Sequence, residues 1–170
     1  MRTHILATAV ILAAGSAAAD GHVGARVTGD IQNRAGENIG SVSVFETASG
    51  VTRIIVQAID IPPGTHGVHL HEVGECVGDF SSAGDHIGDG MNHGLVEGGP
   101  HPGDLPNAYV GEDGELAMEA LNERISVEDH LRDADGAALI VHSEADDFVS
   151  QPGGAAGDRI ACAVLNLMDE

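Results

Sequence analysis

The segment GVHLHEVGEC, residues 67–76, carries His69 and His71 two positions apart in a run that is typical of a β-strand. Side chains two residues apart in a strand point to the same face, so both imidazoles can bind one ion. Neutral imidazole is a common nitrogen ligand for copper and zinc. The segment therefore predicts a strand that presents a metal-binding pair.

Further candidate ligands lie downstream of this strand, and they are His86, His93, His101, Asp104 and His142. The first four fall in one glycine-rich stretch, and the last ends the apolar run AALIVH at residues 137–142. A lone histidine is more often structural than a ligand, but together these residues indicate a site for two metal ions. The other histidines are expected to be structural, namely His4, His22, His66 and His130.

The composition indicates one acidic domain. The 170-residue chain has 27 acidic and 7 basic residues, and every basic residue is arginine. Nucleic acids and anionic membranes both need a basic surface, so neither is expected as a partner of the mature protein. Aromatic residues make up 2% of the chain, so the core must consist mainly of Val, Ile, Leu and Ala.

Residues 1–19 have the features of a secretory signal peptide. Arg2 precedes an apolar run at residues 5–14 that is too short to span a bilayer, and the alanines at 17–19 fit the cleavage pattern. We expect a mature domain over residues 20–170 and a secreted protein, most readily in a bacterial periplasm. A retained membrane anchor is the alternative. Cleavage after Ala19 would place His22 third from a free amino terminus, and whether that motif binds Cu(II) stays open.

The chain has two cysteines, Cys76 and Cys162. In an oxidising compartment two thiols usually form a disulfide, which is the favoured state here. Buried free thiols and metal-binding thiolates are the alternatives, although neither cysteine belongs to a CxxC pair of the kind found in thiolate zinc sites.

Short apolar or alternating runs predict eight β-strands, at residues 23–31, 39–45, 51–59, 66–72, 107–110, 115–122, 137–142 and 159–165. Turn-forming residues separate these runs, and no long amphipathic run predicts a helix. The pattern indicates an all-β fold, an antiparallel sandwich or barrel. Two long glycine-rich loops, at residues 73–106 and 143–157, are expected to be functional. The conformation of residues 125–131, helical or extended, stays open.

Longer motifs make the chain similar to a known family. The segments GVHLHEVGEC (67–76), SSAGDH (81–86), NHGLVEGGPHPGDLPN (92–107), LIVHSEADD (139–147) and GDRIACAVL (157–165) resemble the copper/zinc superoxide dismutases in content and order. The resemblance implies an eight-stranded antiparallel Greek-key β-sandwich or barrel. It also implies an enzyme that converts superoxide to dioxygen and hydrogen peroxide by alternately reducing and reoxidising copper. The oligomeric state stays open between a monomer and a homodimer.

The resemblance implies a role for each candidate residue. The implied copper ligands are His69, His71, His86 and His142, and the implied zinc ligands are His86, His93, His101 and Asp104. His86 would bridge the two ions and deliver a proton during catalysis. Asp146 would join His69 to His93 by hydrogen bonds, and Arg159 would bind the anionic substrate beside copper.

The resemblance also implies that Cys76 pairs with Cys162. The chain departs from the family pattern near the expected substrate entrance. The sequence GDG at residues 88–90 replaces the usual Asn-Pro, and the loop before Arg159 lacks lysine and places Asp158 beside the arginine. Less efficient guidance of anions is the expected consequence.

Two other function classes fit part of the sequence. A cupin-type metalloenzyme would use His69, His71 and Glu75 as its HxHxxxE motif, but it would leave His86 and His93 without a role. A non-catalytic copper- or zinc-binding module on the same fold would use every ligand. The complete ligand set together with Arg159 argues for the enzyme over the module.

Overall fold

The structure is a computed structural model that describes residues 22–167 of the chain. The expected signal peptide, residues 1–19, lies outside the described residues, and so does the side chain of His22. The strands are β1 (His22–Asn33), β2 (Asn38–Thr47), β3 (Thr52–Ala58), β4 (Gly64–His66), β5 (Val68–His71), β6 (Ala108–Val110), β7 (Leu116–Asn122), β8 (Ala137–His142) and β9 (Arg159–Leu167).

Seven of these strands form one antiparallel sheet in the order β5-β8-β9-β1-β2-β3-β7, and β4 pairs with β6 in a small separate sheet. Neighbours that are distant in sequence, such as β9 beside β1, are typical of Greek-key connections. Leu70 of β5 and Leu116 of β7 come from opposite edges of the large sheet yet belong to one buried cluster. The sheet therefore curls around a single core, and the predicted all-β antiparallel fold is confirmed.

The described residues contain nine strands where the sequence predicted eight, and the difference arises at Gly67. This residue divides the predicted strand at 66–72 into β4 and β5, which pair with different partners. The Gly67 N–H donates to the Glu144 carbonyl, and the Gly67 carbonyl accepts from the His142 N–H. A Cβ at Gly67 would lie 2.9 Å from the Ala156 Cβ, so the absent side chain lets the 143–157 loop pack against the break.

Aliphatic side chains fill the main core, as the composition predicted. Ile54 of β3 and Leu139 of β8 are fully buried within it. In β2, Val42 and Val44 are buried while Ser41 is exposed and Ser43 is half-buried, which is the alternation of a strand with one face on the core. The hydrophobic effect of these buried aliphatic side chains is the main force that stabilises the sheet.

Short turns complete the connections. Residues 125–131, which the sequence left open, contain a π-helical turn at Val127–Leu131, and the Ser126 hydroxyl caps it by accepting the Asp129 N–H. A 3-10 turn at Ser81–Ala83 lies within the first long loop. No helix within residues 22–167 is long and apolar enough to cross a membrane.

Candidate metal centre

Two adjacent strands supply three of the candidate ligands. His69 and His71 lie on β5, and His142 is the last residue of the neighbouring strand β8. All three side chains are buried. Because His69 and His71 are two residues apart in a strand, their rings reach the same side, as the sequence predicted.

The first long loop returns to β5 and brings further ligands to it. The backbones of Leu70, Ile87 and Gly103 are joined by three hydrogen bonds of 2.8–2.9 Å. A Cβ at Gly103 would collide with the Leu70 carbonyl oxygen, so only glycine permits this approach. Isolated strand-like pairings then place His86 opposite His71 and Asp104 opposite His69.

The first group of potential ligands consists of His69, His71, His86 and His142, whose ligand atoms lie within 4.8 Å of one another. Three of its ring nitrogens are buried and have no hydrogen-bond partner: His69 Nδ1, His71 Nε2 and His142 Nε2. A buried polar atom without a partner costs free energy, so these nitrogens need a ligand that accepts their lone pairs. They therefore fit a metal ion.

The opposite nitrogen of each of these rings is held by an acceptor. His71 Nδ1 donates to the Gly84 carbonyl at 3.0 Å, and His142 Nδ1 lies 3.4 Å from the Gly157 carbonyl. A carbonyl oxygen can only accept, so in His71 and His142 the ring proton must stay on Nδ1. The nitrogens that face the group are therefore the unprotonated ones, which are the form that binds metal.

Burial also keeps these imidazoles neutral. Desolvation lowers the pKa of His69 to about 4, of His71 to about 2 and of His142 to about 3. For His71 and His142, neighbouring histidines lower the pKa further. At neutral pH the three rings are therefore uncharged and available as ligands.

A second group surrounds Asp104. Asp104 Oδ1 lies 2.9 Å from His86 Nδ1, 3.0 Å from His93 Nδ1 and 3.2 Å from His101 Nδ1. The four residues whose ligand atoms all lie within 4.8 Å of one another are His69, His86, His93 and Asp104. His101 is outside that set although its Nδ1 also faces Asp104. His69 and His86 both belong to the two groups, so the groups share two imidazoles.

The Asp104 carboxylate is ionised. Burial opposes ionisation, but hydrogen bonds from His86 and from the Gly94 N–H hold the pKa of Asp104 well below its usual range. The Gly94 and His101 N–H groups donate to Oδ2 at 2.8 Å and 3.0 Å. The second group thus combines imidazole nitrogens with a carboxylate oxygen, a donor set typical of zinc.

Asp146 connects the two groups. Its Oδ2 accepts from His69 Nε2 at 2.8 Å, and its Oδ1 lies 3.0 Å from His93 Nε2. Burial opposes ionisation of this carboxyl, yet hydrogen bonds from His69, His93 and the Phe148 N–H lower its pKa to about 2. The family resemblance implied that Asp146 would join these two histidines, and its carboxylate lies within hydrogen-bond distance of both.

Arg159 lines a surface cavity of about 600 Å³ together with His86 and His142. Its Nη1 donates to the Phe80 carbonyl and its Nη2 to the Gly84 carbonyl, both at 2.7 Å. Because Gly84 also accepts from His71, one carbonyl orients both a candidate ligand and the guanidinium. The arrangement can bind a small anion next to the first group.

A disulfide fixes the backbone that holds Arg159. Cys76 and Cys162 are bonded, with a Cα–Cα distance of 5.9 Å. Cys162 packs in a small buried cluster with Phe80 and Ile140, separate from the main core. The bond therefore ties the first long loop to β9, close to the Phe80 carbonyl that accepts from Arg159.

Three residues of this site were not predicted as functional. His66 lies 2.7 Å through Nδ1 from the His142 carbonyl and 2.7 Å through Nε2 from the Pro62 carbonyl, which fits its expected structural role. Asn107 and Gln151 bind the backbones of Asp146 and His93. Asn107 ends the motif at residues 92–107 and Gln151 lies in none of the motifs, and nothing in the sequence indicates their backbone partners, which are 39 and 58 residues away.

Fold and site together define a metal-binding protein with a curled antiparallel β-sheet and two adjacent groups of potential ligands that share His69 and His86. Residues 38–165 match the profile of the family described as copper/zinc superoxide dismutase (SODC). The chain is 38% identical over 144 residues to a Cu-Zn superoxide dismutase of Aquifex aeolicus, covering 80% of this chain and 85% of that protein. The chain belongs to the copper/zinc superoxide dismutase family.

Solved structures agree with this assignment. A superoxide dismutase-like protein from Bacillus subtilis matches with a TM-score of 0.77 at 34% identity, over 82% of this chain and 97% of that one. The Cu/Zn superoxide dismutase from Brucella abortus matches with a TM-score of 0.69 at 26% identity, over 83% and 99%. The cupin interpretation has no support, because His86 and His93 are central to the site while Glu75 is exposed.

Proposed function

We propose that the protein is a superoxide dismutase, converting two superoxide anions and two protons to dioxygen and hydrogen peroxide. One observation carries this proposal: three unprotonated, unpartnered ring nitrogens converge where Arg159 lines the same cavity as His86 and His142. Metal affinity and anion affinity therefore meet at one place that solvent can reach.

The donor chemistry of each group suggests which metal it takes. Copper would be held by His69, His71, His86 and His142, and zinc by His86, His93, His101 and Asp104. Nitrogen-only ligation suits copper, and a carboxylate with imidazoles suits zinc. When bound, copper supplies a one-electron couple that takes an electron from one superoxide and gives one to the next, whereas zinc has no redox chemistry.

Arg159 would bind the substrate. Its guanidinium carries a fixed positive charge, and the Phe80 and Gly84 carbonyls hold two of its nitrogens at 2.7 Å. This anchoring keeps the remaining N–H donors in place to receive an anion, with less conformational entropy to lose on binding. The role proposed for Arg159 is to bind and orient superoxide, which needs no movement of the side chain.

His86 would hold and deliver a proton. Its Nδ1 lies 2.9 Å from Asp104 Oδ1, so Nε2 is the nitrogen left to serve the first group. His86 would help to hold both ions, and Nε2 is the ring atom that could take up a proton whenever it does not serve as a ligand. Delivery of this proton from Nε2 would help form hydrogen peroxide.

We further propose a secreted protein with a signal peptide at residues 1–19 and a mature domain at 20–170, located in the periplasm. The Cys76–Cys162 disulfide supports a compartment outside the reducing cytosol. The acidic surface argues against nucleic acid and anionic membranes as partners of the mature form. A homodimer stays a proposal that sedimentation of the purified protein would test.

Metal content measured together with superoxide consumption tests the function. We expect one copper and one zinc per chain and fast dismutation. Two variants test the metal assignment: His142→Ala should lose copper and keep zinc, because His142 belongs only to the first group, and His93→Ala should lose zinc first. Stable binding of both metals without turnover would instead support a non-catalytic metal-binding module.

A further inference from the structure

Asn107 binds the Asp146 peptide at two points. Its Nδ2 donates to the Asp146 carbonyl at 2.8 Å, and its Oδ1 accepts the Asp146 N–H at 2.8 Å. Because an N–H can only donate and a carbonyl can only accept, these two partners also fix which end of the amide is which. The Asp146 backbone therefore cannot rotate without breaking both hydrogen bonds.

Gln151 binds the His93 peptide in the same way. Its Nε2 donates to the His93 carbonyl at 2.8 Å, and its Oε1 accepts the His93 N–H at 2.9 Å. The Nε2 also donates to the Val149 carbonyl at 3.1 Å. One side chain thus joins the second long loop to the first.

The two residues held in this way are themselves in contact, since Asp146 Oδ1 lies 3.0 Å from His93 Nε2. We propose that Asn107 and Gln151 are positioning residues that act through this contact to slow the release of zinc. The inference rests on the proposed function, because it takes His93 as a zinc ligand.

The need for such residues follows from the composition of the loop that carries Asp146. Residues 143–157 include three glycines, and few apolar side chains of this loop are buried. Backbone hydrogen bonds to distant side chains must therefore supply what packing does not. Groups that orient a metal ligand through a hydrogen bond typically change metal affinity by about 10–100-fold when they are removed.

Zinc release from the fully metallated protein to a chromogenic chelator tests the proposal. Asn107→Ala and Gln151→Met should each release zinc about 10-fold faster than the wild type. Asp146→Ala removes the contact with His93 itself, so its rate of zinc release should be the upper limit for both variants. Asn166→Ala on β9 and Gln57→Met on β3 are matched controls on exposed strand positions, and they should release zinc at the wild-type rate.

The melting temperature of each metal-free, disulfide-bonded variant separates positioning from general destabilisation. Faster zinc release with an unchanged melting temperature supports the proposal. Unchanged zinc release, release faster than in Asp146→Ala, or a rate that only follows a lower melting temperature would overturn it. If Asn107→Ala fails to fold, the exposed Gln151→Met decides alone. Failure of the proposed function is a separate outcome, because it would appear as missing zinc or missing dismutation in the wild type.

Discussion

At the scale of single residues, the chemistry of the site depends on which nitrogen of each imidazole carries the proton. Backbone carbonyls decide this for His71 and His142, and the Asp146 carboxylate decides it for His69. The same groups leave one nitrogen of each ring unprotonated and buried. A site prepared in this way can bind metal without first rearranging its ligands, which lowers the cost of binding.

Acid should destabilise the metal-free protein. Desolvation lowers the pKa of His69, His71 and His142 to about 4, 2 and 3, whereas the unfolded chain takes up these protons near 6.5. The contribution of these neutral histidines to stability is therefore fully present above pH 6.5. It is lost as the pH falls from 6.5 towards the pKa values of the folded state. At pH 5 each of these three histidines lowers the free energy of unfolding by about 2 kcal/mol relative to its value at neutral pH.

Urea unfolding of the metal-free, disulfide-bonded protein at pH 7.5 and pH 5 measures this effect, and the midpoint should fall. His71→Asn removes one titrating group while its amide can still donate to the Gly84 carbonyl, so its midpoint should depend less on pH. A wild-type midpoint that stays constant between the two pH values would show that the histidines do not resist protonation in the folded state.

Replacement of Arg159 should separate substrate binding from metal binding. Arg159→Glu should retain both metals, since no Arg159 atom belongs to either ligand group, but lose at least about 10-fold in kcat/KM by reversing the charge beside the site. Arg159→Lys should retain part of the activity. Arg26→Glu, an exposed residue on β1, makes the same charge change away from the cavity. Equal rates for Arg159→Glu and Arg26→Glu would remove Arg159 from the mechanism.

At the scale of elements, the strands were predictable and their breaks were not. Alternation marked β2, and the buried runs marked β8 and β9, because local pattern reflects which face is covered. The break at Gly67 and the return of the loop at Gly103 depend on close contacts with residues far along the chain. A single sequence shows that these residues are glycine but not what approaches them.

The same reasoning applies to the site. Ligand types and spacing were sufficient to predict which histidines gather, whereas the roles of Asn107 and Gln151 were not predicted, because a loop amide has no characteristic spacing from the backbone that it binds. The Cys76–Cys162 bond lies between these cases, since the sequence predicted pairing from two cysteines in a chain that was expected to be secreted. Its effect on Arg159, through the Phe80 carbonyl, emerges only from the structure.

Removal of the disulfide should therefore lower activity as well as stability. The double variant Cys76→Ser/Cys162→Ser should lose about 2–5 kcal/mol in the free energy of unfolding. Its kcat/KM per bound copper should also fall, because the loop backbone that holds the Arg159 guanidinium is no longer tied to β9. Denaturant unfolding and assays at matched copper content measure the two effects. A wild-type rate per copper would mean that the loop holds Arg159 without the bond.

At the scale of the whole molecule, charge opposes the reaction. The chain has a formal net charge of −20, and its substrate is an anion. The cavity itself is lined by three carboxylates, from Glu72, Asp85 and Asp89, and Arg159 is the one arginine or lysine among its described lining residues. Attraction by Arg159 and the metals is local, whereas repulsion by the surface acts over a Debye length of about 10 Å or more at low salt.

Because salt screens the distant charges more than the local ones, the dismutation rate should rise with ionic strength. We expect kcat/KM to increase about 2-fold between about 10 and 150 mM of a non-coordinating salt. Glu72→Gln/Asp89→Asn should be faster than the wild type at low salt and converge with it at high salt. Glu112→Gln/Glu115→Gln removes equal charge from exposed positions outside the cavity and should change the rate less. A rate that falls as salt is added would show that the local field of Arg159 and the metals already dominates the approach of superoxide.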